Sequence, residues 1–146
     1  MTPLPGLSPA AQETLERWHG MLLNRDTGGL AELASDEIIF RSPAFFKPYP
    51  GKQAFVFIIT TVSGIFENFR YDRQFATADG SSAILEFSAN IGDKSLKGID
   101  MIRFDDEGKI VEFEVMIRPA NALAVLAQKM SEKAGPYLMK TGAATA

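Results

Sequence analysis

Residues 98–119 read GIDMIRFDDEGKIVEFEVMIRP, two segments rich in β-branched and aromatic residues on either side of Asp105-Asp106-Glu107-Gly108. Gly108 can take the positive φ that closes a short loop, so the stretch predicts a β-hairpin. Asp100 lies five residues before that turn, among Ile99, Met101, Ile102 and Phe104. A buried carboxylate is costly unless it is paired, hydrogen-bonded or held neutral by a raised pKa. Asp100 is therefore either a surface residue or the acid of a buried site. Strict alternation groups it with Gly98, Ile102 and Phe104, against Lys97, Ile99, Met101 and Arg103, and both groups contain apolar residues. In the second strand Val111, Phe113, Val115 and Ile117 are expected inward, and Glu112, Glu114, Met116 and Arg118 outward. An unbroken hairpin would set Asp100 opposite Glu114 on one face. A bulge in one strand would allow Asp100 to face inward while Glu114 faces out.

Working outward, SAILEFSANI alternates Ala83, Leu85, Phe87, Ala89 and Ile91 against Glu86, Ser88 and Asn90, as a half-buried strand does. FRYDRQFAT alternates Phe69, Tyr71, Arg73 and Phe75 against Arg70, Asp72 and Gln74. Ile38 to Arg41 form a brief strand ended by Ser42-Pro43, and FFKPYPG is an irregular loop. Ser8-Pro9 is a helix start, with Leu15, Trp18, Leu22 and Leu23 at helical spacing up to about Arg25. Asp26 is read as the cap of a short second helix, LAELASDE. Gly51 to about Glu67 is a third, and NALAVLAQKMSEK is a closing helix with Leu123, Leu126, Ala127 and Met130 inward. Helices come first and most strands later, which predicts an α+β domain with one mainly antiparallel sheet, one face covered by helices. Residues 1–7 read as a flexible arm, 8–134 as a single domain and 135–146 as a flexible tail.

The 146 residues suffice for one domain burying roughly 68–70% of its unfolded surface. Eleven phenylalanines point to a bulky aromatic core or an apolar cavity. With a net charge of −3 the chain lacks the basic stripe that phosphate backbones demand, and nucleic acid is not an expected partner. The absence of cysteine excludes disulfides and thiolate metal sites, and one histidine argues against a histidine-based zinc site. MTPLPGLSPAAQ has neither the charged nor the apolar region of a signal peptide, and the longest apolar run, Phe55 to Ile59, is far short of a membrane span. A cytoplasmic protein that does not engage membranes is the expectation.

The order of elements, with RWHGMLLNRD (17–26), DEIIFRSP (36–43) and IDMIRFDDEGKIVEF (99–113), resembles the nuclear-transport-factor-2-like superfamily, in its SnoaL-like and ketosteroid-isomerase-like branch. The resemblance spans about residues 12–130. It implies a cone-shaped, cystatin-like roll in which a curved sheet wraps the N-terminal helices around a cavity. That scaffold hosts isomerases, cyclases, epoxide hydrolases, dehydratases and non-catalytic binders, so it speaks for fold more than for function. Ketosteroid isomerase needs an Asp base on the first strand, with a Tyr and a protonated Asp donating to the oxyanion. Asp100 matches the oxyanion Asp. Trp18 stands at the Tyr position and Ser42 at the base, and a serine hydroxyl alone is no base near pH 7. Steroid isomerase activity is not what this pattern implies. An epoxide hydrolase would need an Arg where Gly98 stands. The looser polyketide-cyclase pattern asks for a carboxylate and a His, which Asp100 and His19 could supply.

The candidate catalytic residues are therefore Asp100, as acid or oxyanion partner, and His19, whose alternative is a helix histidine at the core edge. The resemblance places Asp100 inward, where desolvation raises its pKa. The expected pocket draws Trp18 and Leu22 from the first helix, Phe40, Ser42 and Phe45 from the first strand and its loop, and Phe55, Ile59 and Val62 from the third helix. Leu85, Phe87 and Ile102, then Phe113, Val115 and Ile117, complete it from the sheet. The Phe45-Phe46 pair is a possible lid, and Arg41 is either a carboxylate-steering cation or an outward strand residue. The expected partner is a small apolar or aromatic molecule, with no metal and no cofactor. If the chain is an enzyme, the chemistry is isomerisation or cyclisation through an enol; otherwise it is a non-catalytic binding or interaction module. Ile84, Met101 and Met116 among charges on the outer sheet face suggest a homodimer formed sheet to sheet.

Overall fold

The computed structural model describes residues 4–140, with side chains to 135. Ser8 caps α1 (Pro9–Leu23), its hydroxyl accepting from Ala11 N–H at 3.2 Å, and Pro9 occupies the first turn, where its missing N–H costs nothing. Helix α2 is only Leu30–Leu33, because the chain turns extended at Ala34 to begin β1 (Ala34–Arg41). This corrects the eight-residue helix expected after Asp26. The Asp26 carboxylate instead accepts from Gly28 N–H at 3.1 Å and closes a turn of its own. Tyr49–Pro50 within the FFKPYPG loop pair with β1 as a two-residue strand, β2, and Gly51 at φ +100° leads into α3 (Lys52–Ser63).

The remaining strands are β3 (Glu67–Ala76), β4 (Ser82–Ile91), β5 (Lys94–Phe104) and β6 (Ile110–Arg118). They complete a curved, unclosed six-stranded sheet in the order β2-β1-β6-β5-β4-β3. Every pairing is antiparallel except β1 with β6, which run parallel. The chain is thus the α+β roll expected, helices on the concave side. Helix α4 (Ala120–Lys140) continues past Gly135, where the sequence suggested a tail, with Ala134 buried just before it. Residues 1–3 of the expected arm and 141–146 of the tail lie outside the described residues. Leu7 of the arm is buried, and the Ser8 N–H that follows it bonds to Gly80 C=O at 3.1 Å.

Two of the sheet's four register shifts set the phase of the side chains around Asp100. Arg103 pairs with Glu112 but Phe104 pairs with Ile110, so Val111 is the extra residue. Asp100 then opposes Val115 on the inner face, and Met101 opposes Glu114 on the outer one. In β3, Tyr71 pairs with Phe87 and Gln74 with Leu85, three residues against two. That bulge breaks the alternation expected for FRYDRQFAT: Arg73 turns out to grip Glu86 with Nε to Oε1 at 2.9 Å and Nη2 to Oε2 at 2.7 Å, and Gln74 shares the face of Tyr71.

The core lies between sheet and helices. Phe55 of α3 is fully buried, its ring centroid 5.4 Å from Phe113 and 6.3 Å from Phe40. Burying such aromatic surface is worth roughly 1.5–3 kcal/mol per side chain. The hairpin turn docks on α1. Gly108 takes φ +82°, its carbonyl accepts from Thr14 Oγ1 at 2.6 Å, and a Cβ added there would stand 2.5 Å from Ala10 O. Only glycine fits that close approach.

Candidate active site

Asp100 projects from β5 into the concave side between Leu85 of β4 and Val115 of β6, 6% exposed. Its Oδ2 accepts the Tyr71 hydroxyl at 2.8 Å, and that hydroxyl accepts the Trp18 indole N–H at 2.8 Å. Three residues far apart in the chain thus form one directed line, Trp18 to Tyr71 to Asp100, contributed by α1, β3 and β5. Burial pushes the Asp100 carboxyl up to about 7, and the Tyr71 bond, which favours the carboxylate, opposes part of that rise. Burial also holds the Tyr71 phenol well above its usual range, helped by the negative charge Asp100 would carry. At neutral pH Tyr71 is a fixed donor, and Asp100 sits near the midpoint between acid and carboxylate.

A cavity of about 120 Å³ opens beside Asp100. One water needs roughly 10–15 Å³ on this scale, so the space can hold an organic molecule. Trp18 and Leu22 line it from α1, Ile59 and Val62 from α3, and Phe87 from β4. Phe113, Val115 and Ile117 of β6 and Phe40 of β1 complete the sheet side. Ser42 and Phe45 stand on the wall just after β1, whereas Phe46 points to solvent, 96% exposed. The Ser42 oxygen accepts from Phe45 N–H at 2.9 Å and Ala44 N–H at 3.2 Å, so it is committed to its own turn.

Three residues expected on the wall are elsewhere. Phe55, Leu85 and Ile102 are packed into the core without bordering the cavity; Phe55 fills the space behind Trp18, Phe40 and Phe113. His19 does not border it either. Its ring meets Tyr71 edge-on with centroids 4.9 Å apart, and burial lowers its pKa to about 4, leaving it neutral at pH 7. Arg41 points to the outer face, where Nη1 pairs with Glu112 Oε2 at 2.8 Å. Gly98, two residues before Asp100, makes room for a ring, since an added Cβ would stand 2.5 Å from Phe87 Cζ.

Tyr71, bonded to Asp100, and Arg25, on the cavity wall, are the candidate side chains that sequence reasoning passed over. Tyr71 carries a signal, an aromatic hydroxyl in the phase of Phe69, whereas the family resemblance points to a donor on the first helix. Arg25 follows the helix in a left-handed conformation that its sequence context does not announce. Among the described residues no three His, Asp or Glu side chains are grouped as a metal site would require.

A curved sheet over helices, with one buried carboxyl on an apolar wall, places the chain among known proteins. The SnoaL-like domain family model matches residues 15–113. The chain belongs to that family. It is similar to a steroid delta-isomerase from Pseudomonas aeruginosa, with 49% identity, 93% of this chain and 98% of the other covered, and a TM-score of 0.88. It shares the fold of an uncharacterised protein with a cystatin-like fold from Silicibacter pomeroyi (24% identity, 94% of each chain, TM-score 0.82). The epoxide hydrolase/cyclase-like enzyme SalBIII, of pyran ring formation in the polyether salinomycin, has the same fold (15% identity, 77% of this chain and 92% of the other, TM-score 0.63). Comparison with the curated proteins finds no match. This SnoaL-like chain thus has isomerase and cyclase-like neighbours, and among its described residues no helix is long and apolar enough to cross a membrane.

Proposed function

We propose that this SnoaL-like protein binds a small apolar or aromatic molecule bearing a carbonyl or hydroxyl oxygen and promotes its isomerisation or cyclisation through an enol, without a cofactor. The observation that carries this reading is the Asp100 carboxyl on the wall of an otherwise apolar cavity, fixed through Tyr71 and Trp18. Protonated Asp100 gives its proton to the ligand oxygen while solvent water takes the proton from the neighbouring carbon, and Asp100 regains its proton when the enol is reprotonated at carbon from water. A carboxyl poised near neutral pH both gives and retakes a proton at little cost. Tyr71 and Trp18 act as positioning residues, holding the carboxyl's other oxygen. The 49% identical relative described as a steroid delta-isomerase supports chemistry of this class.

Ser42 favours a second reading, a ligand-binding protein that does no chemistry. It stands where a base would be needed, and its oxygen is already spent on two backbone N–H groups. The outer face carries the partly exposed Met101 and Met116 between paired charges, which supports self-association through that face.

The test is deuterium uptake at the carbon next to the carbonyl, followed by NMR in D2O, for steroid and terpenoid ketones. Catalysed uptake that falls about 100-fold or more in Asp100→Asn supports the enol reading. Tight binding with no catalysed uptake supports the binder. Uptake unchanged in Asp100→Asn would remove Asp100 from the chemistry.

A further inference from the structure

Among the described residues on the cavity wall, Arg25 is the one cation and Asp100 the one carboxyl. Arg25 follows the end of α1 in a closed terminal motif: its N–H bonds to Leu22 C=O at 3.2 Å, and Asp26 N–H reaches back to Met21 C=O at 2.9 Å. The position demands a left-handed backbone, and Arg25 adopts φ +52° where glycine would meet no steric penalty. No local ion pair offsets that penalty. The neighbouring Asp26 carboxylate is engaged by Gly28 N–H, and no described carboxylate lies within salt-bridge distance of Arg25. Arg25 is solvent-exposed, and among the described residues its guanidinium has one long contact, Nη2 to Phe66 O at 3.5 Å. On the outer sheet face, by contrast, Arg41, Arg73, Lys97 and Arg103 each hold a carboxylate.

Trp18 and Leu22, one turn apart on α1, face the wall together, and Arg25 joins them from just beyond the helix end. Trp18 marks the end where Tyr71 and Asp100 sit, and Arg25 marks the other. Apolar Leu22, Val62 and Phe66 lie on the wall as well.

We infer that Arg25 is a specificity-determining residue, selecting ligands that carry a carboxylate as well as the oxygen that meets Asp100, with an apolar body between them. The substrate class is then an elongated apolar keto- or hydroxy-acid rather than a neutral hydrocarbon skeleton. The inference rests on the ligand-binding reading above and narrows it.

The probe is 4′-hydroxybiphenyl-4-carboxylate, compared with its primary amide of nearly equal size, by isothermal titration calorimetry at pH 6. The carboxylate should bind wild type at least about fivefold tighter than the amide, and the preference should shrink as salt rises. Arg25→Gly and Arg25→Gln should each bring the two affinities together. Arg25→Gly should also raise the melting temperature by relieving the left-handed strain, so lost selectivity would appear in a more stable protein. Equal binding of the two by wild type, or a preference that survives both substitutions, would overturn the role of Arg25 while leaving a ligand-binding cavity. Failure of both to bind would overturn that cavity reading and this inference with it.

Discussion

At the scale of single residues, Asp100 couples the site to the stability of the whole chain. Its folded pKa, about 7, lies above the roughly 3.9 of an unfolded Asp. Below about pH 4 the group is protonated in both states and contributes no difference. As pH rises from about 4 to 7 only the unfolded chain releases the proton, so stability falls, by up to about 1.4 kcal/mol per pH unit. Above about 7 the penalty is complete, on the order of 4 kcal/mol. Asp100→Asn should escape it. Urea unfolding should show the variant's advantage growing between pH 4 and pH 8, whereas a constant difference across that range would mean that Asp100 is not desolvated. Tyr71→Phe removes the bond that favours the carboxylate, so the Asp100 midpoint should move above 7 in carboxyl NMR. It also leaves the Trp18 indole without its acceptor, at a cost of roughly 1–3 kcal/mol.

At the scale of elements, the hairpin turn is both a loop and a packing joint. Gly108→Ala must accept φ +82° and also push Ala10 aside, whereas Gly92→Ala meets positive φ in open space. The second change should cost about 1 kcal/mol and the first at least about 2 kcal/mol more, read as the difference in denaturant midpoints. The hairpin was legible because its signals are local: a glycine turn between two β-rich runs, with Asp105 Oδ1 accepting from Glu107 and Lys109 N–H at 2.9 Å each. With Asp100 inward and Glu114 outward, a bulge in one strand is the arrangement that reconciles the two. What sequence could not say is that the extra residue is Val111, since either strand could have carried it. The bulge between Tyr71 and Gln74 leaves no such conflict between charges, so strict alternation groups Arg73 with Tyr71 and Gln74 with Arg70 and Asp72. The short α2 has a related cause: Ala34 and Ser35 suit a helix locally, but pairing of β1 with β6 extends them.

At the scale of the whole molecule, the roll was readable from helix and strand order, but the parallel contact of β1 with β6 joins residues some 70 positions apart and leaves no local trace. The cavity wall was largely legible for the same reason as the core, since inward phase marks both. Separating Phe55, Leu85 and Ile102 from the true lining requires knowing where packing ends. The outer face makes its own prediction. Met101 and Met116 lie on adjacent strands with Arg103–Glu112 and Arg73–Glu86 pairs around them. If that face joins two copies, the double change Met101→Lys and Met116→Lys should convert a dimer into a monomer in sedimentation equilibrium without lowering the melting temperature of the isolated fold by more than a few degrees. A wild-type monomer at micromolar concentration would reject the interface. Trp18, finally, is the single tryptophan of the chain, nearly sealed from solvent, with its N–H on Tyr71 and its ring on the cavity wall. Its emission therefore reports from within the site, free of background from any other indole. Filling the cavity, ionising Asp100 or loosening Tyr71 should each change its colour or lifetime, so the protein can be watched at work without a label.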